Sequence, residues 1–159
     1  MKQLWAPWRT EYIEGFREDE CIFCSKPAEN ADEKNLILAR GRTAFVIMNR
    51  YPYANGHLMV APFRHTGEIE NLLPAETGEL FALVQKSVAV VRAAVNAEGF
   101  NIGFNIGRAA GAGIADHIHL HIVPRWLGDV NYLPILGETK VICECLADTY
   151  KKLKPGFGR

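Results

Sequence analysis

Three observations predict an α+β fold built on an antiparallel sheet of about five strands, with one long central helix and a C-terminal helix. Short runs rich in Val, Ile and Phe follow one another without intervening helical segments, a long amphipathic stretch interrupts them once, and a second helical pattern closes the chain. At 159 residues and 48% hydrophobic the chain suits one domain with a single core and needs no disulfides to hold it.

The strand candidates, in order, are NLILA (35–39), TAFVIM (43–48), HLMVAP (57–62), NIGFNI (101–106) and HIHLHIV (117–123), each bounded by Gly, Pro, Asn or Arg-Gly turns. The polar stretch KPAENADEKN (26–35) before the first of them reads as a loop with a helix-like tail. Between the third and fourth strands, Pro74 suits a first helical turn, and Leu80, Val84, Val88, Val91 and Val95 recur at helical spacing. That stripe is expected to face the sheet. A second helix is predicted over 138–154, with Val141, Ile142, Leu146, Tyr150 and Leu153 on one side and lysines in the last turn. The chain thus divides into an N-terminal arm (1–20), a core (20–126) and a C-terminal extension (127–159).

Lys+Arg and Asp+Glu number 18 each, so no net charge draws the chain to nucleic acid or to an anionic membrane. The opening residues MKQLWAPWRTEY have no signal-peptide apolar stretch, and no apolar run approaches the roughly 18 residues that span a bilayer. A cytoplasmic protein is expected. The four cysteines, Cys21-x-x-Cys24 and Cys143-x-Cys145, are too sparse for a disulfide scaffold and suit reduced thiols.

The run ADHIHLHIVPRW (115–126) carries three of the five histidines at every second position. On a strand His117, His119 and His121 share one face, about 7 Å between neighbours, while Ile118, Leu120 and Ile122 pack beneath. Pro124 lacks the N–H to continue a ladder, so the row is expected to end near the strand's end. Half-buried polar residues or a three-histidine zinc site are the competing readings; against the zinc site, Pro124 and Arg125 follow where a metallohydrolase pattern would continue into Asp-His.

The pattern H-x-H-x-H-x-x-P resembles the signature of the histidine triad (HIT) family of nucleotide hydrolases and transferases. The resemblance extends back through FVIMNRYPYANGHLMVAPFRH (45–65), which is similar to the family's nucleotide-cradling segment. The flanks LWAPWRTEYI and DHIHLHIVPRWLGDVNYLP look most like a bacterial branch that includes diadenosine tetraphosphate phosphorylases.

The resemblance implies that His119 attacks a nucleotide's α-phosphorus, that His121 donates to a phosphate oxygen or leaving group, and that His57 is a fourth active-site histidine. It places Asn49 at the ribose and Asn105 at the phosphates, with the turn GRAAGAG (107–113) offering backbone N–H groups. Many members carry Gln and Ser shortly before the first histidine. This chain has Gly113 and Ile114 there, so backbone donors, Arg108 or Arg125 would have to compensate.

CIFC supplies only half of zinc's usual four ligands. The resemblance to zinc-binding bacterial members completes a structural site with Cys21, Cys24, His65 and His117. A redox Cys-x-x-Cys is the rival, although the strand-to-helix setting it usually takes is not predicted here. Cys143 and Cys145, two apart on a predicted helix, would point about 200° from each other and be ordinary packing residues.

The expected activity is phosphoanhydride cleavage at a nucleotide α-phosphate through a covalent nucleotidyl-histidine, with water or phosphate as acceptor and a dinucleoside polyphosphate such as diadenosine tetraphosphate as substrate. By family resemblance the protein would be a homodimer. The alternatives are a nucleotide-binding sensor with negligible turnover, a nucleoside phosphoramidate hydrolase and a zinc hydrolase using all three histidines.

Overall fold

A computed structural model describes residues 20–129 and 142–158. Its elements run α1 (Ile22–Ala28), β1 (Ile37–Arg40), β2 (Ala44–Met48), β3 (Leu58–Pro62), α2 (Pro74–Val95), β4 (Gly99–Phe104), β5 (Leu120–Arg125) and α3 (Leu146–Leu153). The five strands form one sheet in the order β1-β2-β3-β5-β4, with every neighbouring pair antiparallel. The predicted fold class is the observed one.

Strand alternation splits the core in two. Val46, Met48, Leu58, Val60, Leu120 and Ile122 face α2 and α3 in one cluster, and Phe45, Ile47, Met59 and Ala61 meet Phe23 of α1 in the other. The even-numbered positions of these strands therefore lie under the long helix. The odd-numbered ones, His121 paired with Met59 among them, lie on the opposite face.

α2 buries Leu80, Val84 and Val91 on the sheet, as its stripe predicts. Its start is held by the Glu76 carboxylate, which accepts the Leu73 backbone N–H at 2.9 Å and pairs with Arg64. At its end Asn96 takes the left-handed conformation, φ 51°, and Trp126 Nε1 donates to the carbonyls of Val95 and Asn96. A Glu79 carboxylate from the same helix accepts backbone N–H bonds from Arg42, Thr43 and Ala44 and so fixes the β1–β2 turn.

Four expectations are corrected. First, the stretch 26–35, expected to be a polar loop, begins inside α1: Pro27, a breaker in sequence, sits in the last turn of a seven-residue helix. Second, β5 begins at Leu120, so His117 and His119 lie on the approach to the strand, whose ladder with β3 starts at Leu120. Third, Pro124 does not end β5, which runs to Arg125 paired with β4; its missing N–H falls where the ladder with β3 has already stopped at Ile122. Fourth, the C-terminal helix starts at Leu146, with Cys145 as its N-cap, so Cys143 and Cys145 precede the helix. The residues 142–145 are instead tied down by Glu144, which binds Asn55, Thr149 and Lys152. Val141 and the arm up to residue 19 lie outside the described residues.

Candidate functional site

Two groups of side chains stand on the sheet face opposite α2, and the triad strand connects them. The first contains Cys21, Cys24, His65 and His117, whose ligand atoms all lie within 4.8 Å of one another. Cys21 is the N-cap of α1 and Cys24 lies in its first turn, so one helical turn sets the two thiols side by side. His65 follows β3, and the loop it begins is bonded to the triad segment by Ile118 N–H to Thr66 O at 2.6 Å.

The second nitrogen of His117 sets which of its ring atoms faces the cluster. Nε2 lies 2.9 Å from the Pro62 carbonyl, so it carries the hydrogen in the neutral ring and leaves the Nδ1 lone pair for the cluster. That Nδ1 is 3.3 Å from Cys21 Sγ, 3.5 Å from Cys24 Sγ and 3.3 Å from His65 Nδ1. Burial pushes the Cys24 thiol up to about 11, reinforced by its hydrogen bond with Cys21 and that neighbour's charge. As thiolates the two sulfurs would need a cation between them, and two sulfurs with two imidazoles fit zinc's tetrahedral preference.

The second group holds His119, His121 and His57. Nδ1 of His119 lies 2.8 Å from the His117 carbonyl, which fixes the hydrogen on Nδ1 and leaves Nε2 with its lone pair. Burial lowers its pKa, against the effect of that carbonyl bond, so the ring is neutral at neutral pH. His121 meets it edge-on with ring centroids 4.9 Å apart. His57 Nε2 in turn is 2.9 Å from His121 Nδ1. Burial first, and neighbouring imidazoles second, hold His57 down at about 3 and His121 at about 4.

His119 and His121 open on a cleft of about 380 Å³ that Asn49, Asn105, Gly111 and Gly113 also line. Asn49, Asn105, Gly113 and His121 therefore line one cavity. Asn49 Nδ2 lies 3.3 Å from His57 Nδ1, and its Oδ1 accepts the Tyr51 N–H at 2.9 Å. Ile114 packs with the apolar cluster around Phe23 and offers no polar contact. Arg125 is engaged by Asp129 and Asn101, and neither it nor Arg108 lines the cleft. Of the glycine-rich turn, Gly111 and Gly113 line the cleft.

Two aromatic neighbours were not singled out in the sequence. Phe23, buried between the two cysteines, packs against His119 with centroids 4.6 Å apart and against His117 at 5.3 Å. Tyr53 lies over His57 at 4.6 Å and His121 at 5.9 Å. The signal for Phe23 was its place inside CIFC, since a helical turn that brings two thiols to a metal aims the residue between them elsewhere. Nothing in the sequence marked Tyr53.

The HIT domain family model matches residues 30–126, the span that carries β1 to β5 and the triad. The chain belongs to the HIT family. This HIT chain is 38% identical over 167 residues to a Mycobacterium tuberculosis protein named AP-4-A phosphorylase, an alignment covering 100% of the chain and 86% of that protein. It is 32% identical over 95 residues to the asymmetrical bis(5'-nucleosyl)-tetraphosphatase of Schizosaccharomyces pombe, covering 60% of the chain and 52% of that enzyme. Among solved structures, a zinc-bound histidine triad protein of Mycobacterium smegmatis superposes with TM-score 0.70 at 25% identity, over 87% of the chain and 93% of that structure. A hypothetical histidine triad nucleotide-binding protein of Sulfolobus tokodaii gives TM-score 0.68 at 28% identity, over 86% of this chain and 89% of that one.

Proposed function

We propose that this HIT protein cleaves dinucleoside polyphosphates such as diadenosine tetraphosphate at an α-phosphate, through a covalent nucleotidyl group on His119. The observation that carries the reading is the hydrogen bond from His119 Nδ1 to the His117 carbonyl at 2.8 Å, which leaves the lone pair on Nε2 of a ring that lines the cleft. The relationship to a protein named AP-4-A phosphorylase along the whole chain supports the substrate class.

In the first step His119 Nε2 forms a bond to the α-phosphorus and the bond to the bridging oxygen breaks, releasing the remaining nucleoside polyphosphate. His121 donates to the departing phosphate oxygen, with His57 behind it. Backbone N–H groups of Gly111 and Gly113 and the Asn105 side chain serve the phosphates, and Asn49 serves the ribose. An acceptor then attacks the same phosphorus and frees His119 for the next turnover. Inorganic phosphate as acceptor gives a nucleoside diphosphate, and water gives the monophosphate.

Cys21, Cys24, His65 and His117 would hold a structural zinc. Such a metal would pin α1 to the triad segment and with it Phe23 against His119. β4 is an edge strand with Ile102 exposed, which supports a homodimer joined along that edge. No helix among the described residues is long and apolar enough to cross a membrane, and the reduced-thiol pattern supports a cytoplasmic setting.

The decisive experiment supplies diadenosine tetraphosphate with and without inorganic phosphate and identifies the products. ADP with ATP, formed only with phosphate, makes the enzyme a phosphorylase; AMP with ATP in its absence makes it a hydrolase. No cleavage under either condition, with nucleotide still bound, would favour the sensor reading.

A further inference from the structure

The loop that joins β2 to β3 ends in a turn closed by the His57 N–H on the Ala54 carbonyl at 3.1 Å. Gly56, at φ 78°, takes the second central position of that turn, so Asn55 is the only central residue with a side chain. The same loop supplies a main-chain group to the histidines: the Tyr53 N–H lies 3.1 Å from His57 Nδ1, and His57 Nε2 lies 2.9 Å from His121 Nδ1. A neutral imidazole keeps its hydrogen on the nitrogen that is not accepting a bond, so the place of the Tyr53 amide selects the form of His57 and, through it, that of His121. Such bonds weaken steeply below about 120°. The loop therefore has to be held in place.

The C-terminal extension engages both ends of the Asn55 amide. Nδ2 donates to Glu144 Oε2 at 3.1 Å, and Oδ1 lies 3.0 Å from Thr149 Oγ1 of α3. Thr149 Oγ1 is also 2.8 Å from Glu144 Oε2, and Lys152 pairs with the other carboxylate oxygen. Lys152 first, then Thr149 and Asn55, hold the Glu144 carboxyl at about 2, which keeps it an acceptor at neutral pH. The Glu144 side chain is 17% exposed and Thr149 is buried, so water competes little for the bond to Asn55. Neither Asn55 nor Glu144 lines the cleft, and Glu144 and Thr149 lie beyond the span that the HIT model matches.

We propose that Glu144 is a positioning residue for the histidine relay. By holding the Asn55 side chain it fixes the turn between Tyr53 and His57, keeps the Tyr53 N–H on His57 Nδ1, and so keeps the hydrogen of His121 on Nε2. The inference rests on the reading above, in which His121 donates to the leaving group.

The test combines steady-state kinetics on diadenosine tetraphosphate with long-range proton–nitrogen correlation spectra of the imidazole rings, on the full chain as purified. In the wild type His57 and His121 should both carry their hydrogen on Nε2; any other form would overturn the proposal. Glu144→Ala and Asn55→Ala should each lower kcat at least about fivefold, with KM within about threefold, and should shift the His57 hydrogen towards Nδ1. Because Glu144 acts through Asn55, the double variant should lie within about twofold of the slower single variant. Glu144→Gln keeps an oxygen for Asn55 and loses the ion pair with Lys152, so it should melt below wild type while its kcat stays within about twofold. If Glu144→Ala does not fold, Asn55→Ala and Glu144→Gln carry the same comparison. A kcat that follows melting temperature through the series would make Glu144 a docking contact for α3 and overturn the proposal. So would an unchanged His57 tautomer in the alanine variants, or losses that multiply in the double variant. No cleavage by the wild type would overturn the functional reading, and the ring spectra would still decide whether Glu144 positions the relay.

Discussion

His57 Nε2 lies 2.9 Å from His121 Nδ1, and the other nitrogen of His57 receives the Tyr53 backbone N–H at 3.1 Å. A backbone amide only donates, so Nδ1 of His57 is an acceptor and its Nε2 carries the hydrogen in the neutral ring. That hydrogen goes to His121 Nδ1, and the hydrogen of neutral His121 is therefore on Nε2. One main-chain N–H thus decides the tautomer of a side chain two hydrogen bonds away, and it makes His121 a donor at neutral pH.

His57→Ala should therefore impair the chemical step more than substrate binding. Without the His57 donor, His121 loses the partner that holds its hydrogen on Nε2. We expect kcat to fall by at least about tenfold, with a smaller change in KM. Steady-state kinetics on diadenosine tetraphosphate would check this, and an unchanged kcat would remove His57 from the relay.

His119→Ala should abolish turnover while nucleotide affinity stays within about tenfold, because the nucleophile is lost but little contact area goes with it. Turnover within a few-fold of wild type would refute the covalent role. Rescue of His119→Gly by free imidazole is the complementary expectation.

Metal analysis should find about one zinc per chain, as a closed four-ligand site requires. Cys21→Ser and His65→Ala should lower zinc content and melting temperature together, because a structural metal contributes to folding free energy. His119→Ala should keep the metal, since its ring is bonded to the His117 carbonyl and lies outside the four-ligand cluster. Cys143→Ser and Cys145→Ser should keep it too. Protein purified without chelators and found free of zinc would refute the assignment.

Glu79 predicts the acid limb of stability. Burial raises its pKa, but the Thr43 hydroxyl and the N–H groups of Arg42, Thr43 and Ala44 outweigh it and pull the group from 4.5 to about 2. A folded pKa below the unfolded one means the contribution is complete above about 4.5 and disappears as pH falls towards 2. Glu79→Gln should melt below wild type at pH 7 and match it near pH 2, measured by thermal melts across that range. Gly41→Ala should act in the same direction, since its Cβ would stand 2.6 Å from the Glu79 Cδ.

By itself the sequence determined the elements whose signal is local. Five strand-forming runs appear within a few residues of their observed places, and the apolar stripe of α2 matches its buried face. The alternation of His117, His119 and His121 likewise puts them on a common side. Short-range periodicity carries that much because each residue's side depends only on its neighbours along the chain. It failed where a long-range contact overrides local preference: Pro27 closes a short helix whose Phe23 is held by packing on Phe45 and His119, and the residues 142–145 precede the last helix instead of belonging to it.

Only the tertiary structure decided which side chains meet. The pairing of β3 with β5 brings His57 to His121, and the return of the chain after Pro62 brings His65 and the Pro62 carbonyl to His117. The same sheet order gathers Lys26, Lys34 and Arg50, distant in sequence, into the cleft with His119. These meetings depend on strand order and register, properties of pairs of elements that no single stretch of chain contains.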